Sequence, residues 1–101
     1  MYKAFYLNEV REDIKNAKQW YREQQEDLEE KFILSLKVTI SNILKMPSAY
    51  AIRYKKVRIA HTKIFPYNIH FYIDDEKNQI IITGIIHNKR RDALRLDRNI
   101  K

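Results

Sequence analysis

The spacing of the apolar residues changes once, near Pro47, and that change decides the class of fold. Before it, apolar residues recur every three or four positions, which is typical of amphipathic helices. After it, they alternate with polar residues, as in strands with one buried face. One glycine and two prolines are too few to build a flexible linker. The pattern predicts a single α+β domain over residues 1–101.

The N-terminal half predicts a short strand followed by two helices. Residues 2–7 are rich in aromatic side chains, which favour extended structure. Asn8 is suited to cap a first helix, because its side chain can accept a first-turn N–H. After a break near 24–26, Asp27 resembles the first residue of a capping box for a longer helix. That helix must end before Pro47, since the residue before a proline disfavours the helical conformation. We expect two antiparallel helices joined by a tight turn.

The C-terminal half predicts three strands in an antiparallel meander. Residues 53–61 alternate as one strand, and a proline turn at 65–67 leads into a second, half-buried strand. A polar hairpin loop at 74–78 precedes residues 79–87, which carry isoleucine on both faces and therefore belong inside the sheet. The element order is β-α-α-β-β-β. Residues 92–101 are compatible with either a short helix or an irregular tail.

Positive charge is concentrated in the middle and at the end of the chain. The net charge is +7, yet residues 1–30 carry eight acidic against five basic side chains. No acid lies between Glu30 and Asp74, where there are eight Lys and Arg. This asymmetry predicts a positive surface suited to nucleic acid or to an acidic protein. A basic surface that is only solvated remains the alternative.

This composition argues against several kinds of site. Without cysteine there is no disulfide, thiolate zinc site or cysteine nucleophile. His61, His70 and His87 lack the spacing of a metal site, and Gly84 alone cannot form a phosphate-binding loop. The start of the chain does not resemble a signal peptide, and no apolar run approaches the ~18 residues of a membrane helix. We expect a cytoplasmic protein with no metal, cofactor or membrane partner.

Motifs in a fixed order give the chain a family resemblance. They are Trp20-Tyr21, Phe32 with Pro47 after it, Val57-Arg58, the segment 65–69 (FPYNI) and the segment 85–92 (IIHNKRRD). In these motifs the chain resembles the RelE/ParE superfamily of toxins over nearly its whole length. The resemblance implies a helical hairpin packed on a small twisted antiparallel sheet. It also implies the toxin of a type II toxin–antitoxin system, neutralised by a cognate antitoxin.

Two mechanisms occur in that superfamily. RelE-like members cut mRNA, commonly on the ribosome, whereas ParE-like members inhibit DNA gyrase. A metal-independent ribonuclease needs a general base, a general acid and fixed cations around one phosphate. Arg58, His87 and Arg90 match positions that the family uses, and they converge if the strand of Arg58 pairs suitably with the last strand. Alternatively, His87 only closes its strand, and Arg58 pairs with Asp92 or Asp97.

The C-terminal segment favours the ParE-like mechanism and a plasmid-stabilisation role. RelE-like nucleases often carry a tyrosine shortly after the last-strand arginine, whereas here the last tyrosine is Tyr72. The partners expected are therefore a cognate acidic antitoxin and DNA gyrase, with the ribosome and mRNA as the alternative. A homodimer and a toxin–antitoxin hetero-oligomer both remain open. A non-toxic nucleic-acid-binding module is a third hypothesis, and it predicts salt-dependent nucleic-acid binding without growth arrest.

The residues predicted to bind the target or the antitoxin are all basic. They are Arg53, Lys55, Lys56, Arg58, Lys63, Arg90, Arg91 and Arg95. Four tyrosines near these cations can stack nucleic-acid bases, although packing in or around a small core is the favoured interpretation. They are Tyr50, Tyr54, Tyr67 and Tyr72.

Overall fold

Residues 1–88 of the chain form two α-helices and five strands. A computed structural model describes residues 1–88, and the predictions for Arg90, Arg91, Arg95 and residues 92–101 lie outside this part. The elements are β1 (Lys3–Tyr6), α1 (Asn8–Gln24), α2 (Leu28–Lys45), β2 (Ile52–Tyr54), β3 (Val57–His61), β4 (Tyr67–Asp74) and β5 (Gln79–His87), with a short 3₁₀ helix (Pro47–Ala49) before β2. The predicted α+β class and helical hairpin are confirmed. Within residues 1–88, neither helix combines the length and apolar character of a membrane-spanning segment.

The strands form one mixed sheet in the order β1-β5-β4-β3-β2. The four C-terminal strands pair antiparallel in sequence order, as the predicted meander requires. β5 is paired on both sides, in agreement with its isoleucine-rich sequence. β1 differs from the expected antiparallel sheet because it runs parallel to β5. The two helices separate β1 from the later strands, so no hairpin turn sets its direction.

The strand predicted over residues 53–61 is in fact two strands joined by a tight turn at Lys55 and Lys56. Lys55 has a φ of 48°, in the left-handed region. Turns of this kind can usually be recognised in a sequence because they contain Asn or Gly, which adopt positive φ easily. Neither residue occurs here, so no residue type marks the turn in advance.

Both predicted helix caps are wrong in detail. Asn8 is already the first residue of α1, and Leu7 occupies the cap without a side-chain hydrogen bond. Asp27 caps α2 at a φ of 72°, and its side chain makes no capping bond. A capping box needs an extended residue at the cap. Asp27 is left-handed instead, because it lies in the short connection that reverses the chain between the helices.

Both helices pack on one face of the sheet, where an aromatic cluster anchors them. The cluster consists of Tyr21 on α1, Phe32 on α2, Phe65 in the loop before β4, and Tyr67 at the start of β4. Ring centroids lie 5.0 Å apart for Tyr21 and Phe32, 5.1 Å for Tyr21 and Phe65, 5.5 Å for Phe32 and Phe65, and 5.1 Å for Phe32 and Tyr67. Edge-to-face and tilted contacts at these distances add to the stabilisation from burial alone.

We call the face of the sheet that does not pack on the helices the second face. It is also largely buried. Val57, Ile81 and Ile86 are buried there without belonging to the helix-side core. Asn68 and His70, expected on an exposed face, are 4% and 3% exposed. The half-buried strand predicted for this segment is therefore wrong at Asn68 and His70, while Ile69 and Phe71 are buried as predicted. Burial of these polar groups is tolerated because Asn68 is hydrogen-bonded to His61 on β3 and His70 to Tyr54 on β2.

Truncation of Phe32 tests the aromatic cluster. Phe32 is fully buried, and Phe32→Ala removes ring contacts to three neighbours. We expect a loss of ~3–5 kcal/mol in the free energy of unfolding, measured by urea denaturation. Trp20→Ala, at a side chain 53% exposed, is the control and is expected to cost far less. Similar losses for the two variants would contradict the assigned core.

An ion pair between the helices predicts a pH dependence of stability. The Arg22 guanidinium donates at 2.9 and 2.7 Å to the two oxygens of Glu29, and these bonds lower the pKa of that carboxyl. Because the folded pKa lies below the unfolded one, the stabilisation is present above the ordinary value of 4.5 and is lost as pH falls through the lowered value. Arg22→Gln should therefore reduce the urea midpoint at pH 7. Below the lowered pKa of Glu29 the reduction should vanish. A reduction that is equal at both pH values would exclude this linkage, and Lys15→Gln serves as the control.

Candidate functional site

Four of the predicted binding cations meet in one hairpin at the edge of the sheet. Arg53, Lys55, Lys56 and Arg58 lie on β2, the turn and β3, and we call them the basic hairpin. The first three are exposed and Arg58 is half-buried. Among residues 1–88, no acidic side chain forms an ion pair with any of them. β2 is an edge strand, and no strand of residues 1–88 pairs with its outer side.

Arg58 is fixed by the backbone that enters β2. Its Nη1 donates a 2.6 Å hydrogen bond to the carbonyl oxygen of Tyr50. The Tyr50 ring in turn meets Phe71 of the helix-side core edge-on, at 5.7 Å. Arg58 therefore connects the 3₁₀ segment to the sheet and also contributes charge to the hairpin.

Lys56 lies over an aromatic ring. Its Nζ is 4.1 Å from the ring centroid of Tyr72 on β4, a cation–π distance. Burial raises the pKa of the Tyr72 hydroxyl, and nearby Asp74 raises it further. The phenol therefore stays neutral at physiological pH. This contact orients one of the hairpin cations above the second face.

Lys63 is separate from the basic hairpin. It lies in the loop after β3, at the opposite end of that strand from the turn. Its side chain is exposed, and its carbonyl oxygen accepts a 2.9 Å hydrogen bond from Ser35 Oγ on α2. The loop is thereby attached to the helical hairpin.

His87 ends β5 and does not approach Arg58. It pairs with Tyr67, whose ring lies 5.2 Å away in an edge-on contact. β4 lies between the strands of the two residues, and Arg58 pairs with Phe71 in the middle of β4 while His87 pairs with Tyr67 at its start. Strand spacing and rise place their Cα atoms roughly 15–20 Å apart. The expected convergence of Arg58 and His87 therefore does not occur.

The sequence interpretation overlooked a polar cluster on the second face. His70 Nδ1 lies 2.8 Å from the Tyr54 hydroxyl, and His61 Nδ1 is hydrogen-bonded to Asn68 Oδ1. An amide oxygen can only accept, so Nδ1 of His61 carries the proton and Nε2 of the neutral ring keeps its lone pair. The cluster depends on the β3–β4 register, which places His61 opposite Asn68 and is not evident before the strands are paired. Across residues 1–88, no group of three or more His, Asp or Glu side chains is arranged to hold a metal ion.

Comparisons with known proteins agree with this architecture. Residues 5–92 match the family model described as the ParE toxin of type II toxin–antitoxin systems, parDE. The isolated E. coli RelE toxin is similar in structure, with a TM-score of 0.59 at 14% identity over 93% of this chain and 90% of that one. A chain of the intact E. coli RelBE toxin–antitoxin complex gives a TM-score of 0.56 at 15% identity, over 84% of this chain and 94% of that one. No curated protein sequence is significantly similar.

Double-mutant cycles test the separation of Arg58 from His87. The effects of Arg58→Ala and His87→Ala on the free energy of unfolding should add to within roughly 0.5 kcal/mol, because the two residues lie on strands separated by β4. Tyr54→Phe and His70→Ala form the contrasting pair. These side chains are in contact and should be coupled by about 0.5–3 kcal/mol. Strong coupling between Arg58 and His87 would show that the two residues meet after all.

Proposed function

The chain belongs to the ParE toxin family of type II toxin–antitoxin systems, and on this premise we propose that it arrests growth by binding DNA gyrase in the cytoplasm. The proposed action is inhibition through binding, with no nucleic-acid cleavage. A cognate acidic antitoxin neutralises it. The basic hairpin is the surface assigned to the target.

The observation that carries this proposal is the failure of Arg58 and His87 to converge. A metal-independent ribonuclease must hold its acid, its base and its phosphate-binding cations around a single phosphate, within hydrogen-bond reach. The two described members of the candidate set lie on strands separated by β4. This arrangement supports action by binding, because Arg58 and His87 do not form one site for proton transfer.

The charge of the hairpin supports recognition of an acidic surface. Four cations lie within six consecutive residues, and the segment from Lys31 to Ile73 contains no acid. Exposed cations of this density accelerate association with a partner of opposite charge and disfavour other basic proteins. Arg58, held by its bond to Tyr50, is preorganised for a carboxylate or a phosphate.

We base the antitoxin partner on the family to which the chain belongs and on the positive charge of the chain. The RelBE structure is a complex of a toxin with its antitoxin. A disordered acidic segment that folds on binding would offset the +7 charge of this chain. The helical hairpin can accept a helix of such a segment, which leaves the basic hairpin to the target.

A second candidate is a RelE-like mRNA endoribonuclease, supported by the His61–Asn68 pair. The Asn68 amide fixes the His61 tautomer, and the His61 side chain is exposed, so Nε2 is suited to accept a proton. Under this alternative His61→Gln would reduce cleavage by ~10²–10⁴-fold. Under the gyrase proposal the same change leaves toxicity nearly intact.

Induction in cells without antitoxin distinguishes the two candidates. We expect incorporation of labelled thymidine to fail first while incorporation of labelled amino acids persists, because gyrase inhibition stops replication. Collapse of protein synthesis within minutes, with DNA synthesis continuing, would establish the ribonuclease alternative. Absence of growth arrest would instead favour a non-toxic nucleic-acid-binding module.

Charge reversal tests the role of the basic hairpin. Arg53→Glu/Lys56→Glu should raise the toxin dose needed for growth arrest by at least roughly tenfold, since complementary charge is lost at the target contact. Arg11→Glu/Lys15→Glu on the exposed side of α1 changes the net charge equally and is the matched control. Equal toxicity of the two double variants would rule out the hairpin as the target surface.

A further inference from the structure

The solvent-facing side of α2 carries a line of exposed residues with the spacing of a helix-packing seam. Along the line, steps of three and four residues alternate. This heptad spacing keeps side chains on one side of a helix, as in the seam of a coiled coil. Leu34 and Val38, at its centre, are 62% and 49% exposed. The members, which we call the outer line, are Lys31, Leu34, Val38, Ser41 and Lys45.

A strained turn extends this apolar centre on one side. Ile64, in the turn after β3, has a φ of 76° and is 93% exposed, although a β-branched residue is strongly disfavoured at positive φ. The Phe65 amide donates a 2.8 Å hydrogen bond to the Lys63 carbonyl, which closes a γ-turn. Ser35 Oγ on α2 donates to the same carbonyl at 2.9 Å. The apolar tip is thereby held beside the centre of the outer line.

Charges of both signs lie along α2, and they select the kind of partner. Four acids lie within residues 26–30 at the start of the helix, whereas Lys45 is its last residue. Lys31 and Lys37 are exposed between these ends. A uniformly acidic partner would meet the acidic start, and a uniformly basic partner would meet the lysines. A second copy that runs in the opposite direction places opposite charges together at both ends.

Antiparallel pairing of two outer lines gives compatible contacts at every level. With a twofold axis midway between Leu34 and Val38, each of these side chains faces the other type in the second copy, as the facing positions of antiparallel coiled coils do. In the same register Lys31 faces Ser41, so no two lysines of the line oppose one another. Lys45 of each copy lies beside the acidic start of the other.

The flanks of the helix agree with this arrangement. A twofold axis brings identical flanks of the two copies together. The two Ile64 side chains therefore approach each other on the flank marked by Ser35. On the other flank lie Glu30 and Lys37, which line the groove between α1 and α2 and have opposite charges.

We propose that the free toxin forms an isologous homodimer through the outer lines of two antiparallel α2 helices, with the Ile64 turns packed across the twofold axis. Burial in this interface accounts for three apolar side chains that the folded monomer leaves exposed. The interface needs neither the target nor the antitoxin, so it goes beyond the proposed function. An antitoxin helix bound across the same side of α2 would compete with it.

Sedimentation velocity over a range of toxin concentrations tests for the dimer. Leu34→Glu places two acids at the apolar centre and should weaken dimerisation at least roughly tenfold, a loss of ~1.4 kcal/mol or more. Asn16→Glu, on the exposed side of α1, is the matched control and should dimerise like the wild type. Urea midpoints close to the wild-type value are expected for both variants, because both positions are exposed in the monomer.

Cysteine cross-linking tests the antiparallel register, since the chain has no cysteine of its own. Lys31→Cys/Ser41→Cys should give a covalent dimer on mild oxidation, because each introduced thiol faces the other type in the second copy. Positions 31 and 41 of one helix are about 15 Å apart. A disulfide requires Cα atoms within roughly 7 Å, so the bond cannot form inside one copy. Each single variant is a control and should stay uncross-linked.

Three outcomes would overturn the proposal. They are a wild-type monomer at every concentration, wild-type dimerisation of Leu34→Glu, and efficient cross-linking of Lys31→Cys alone, which would indicate parallel helices. Concentration-dependent dimers that Leu34→Glu weakens, together with cross-linking of the double variant only, would establish the interface. Growth arrest on induction is scored separately, so a non-toxic wild type would refute the proposed function and leave the dimer result standing.

Discussion

The aromatic cluster of Tyr21, Phe32, Phe65 and Tyr67 is the contact on which the rest of the structure depends. It joins both helices to the start of β4. Once Tyr67 is fixed, the β4 register determines which residues face each other on β3 and β5. That register pairs His61 with Asn68 and separates Arg58 from His87. Phe65 holds the turn that exposes Ile64. Packing in the core thereby sets the positions of groups that themselves lie at the surface.

The surface features divide between two parts of this scaffold. Within residues 1–88, cations lie on the β2–β3 hairpin, of which β2 is an edge strand, and exposed apolar side chains include Leu34 and Val38 on α2 and Ile64 in the turn after β3. An edge hairpin offers charge and open backbone groups, and a helix with a rigid turn offers apolar area. A toxin needs both a target and a neutralising partner. Two chemically different surfaces on one small domain allow those functions to be separated by mutation.

The sequence predicted the fold more successfully than the arrangement of the site. The helices and the strands at residues 67–74 and 79–87 follow from apolar spacing, because burial requires that periodicity. The turn at Lys55 was not predicted, because this lysine adopts the left-handed conformation that Asn and Gly adopt most easily. Asp27 does occupy the cap of α2, but the predicted capping box does not form, because the residue is left-handed rather than extended. The prediction of the site was less successful, because convergence of its side chains depends on strand pairing between segments that are distant in sequence. Arg58 and His87 are residue types that suit a ribonuclease site. The contact between His61 and Asn68 becomes evident only when β3 and β4 are paired.

The most direct test of the central claim uses purified gyrase and purified toxin in one assay of plasmid supercoiling. The account predicts that the toxin stops supercoiling of relaxed plasmid, that later addition of the antitoxin restores it, and that mRNA incubated with toxin and ribosomes stays intact. Unimpaired supercoiling together with site-specific cleavage of the mRNA would contradict the account and establish a ribonuclease on this fold.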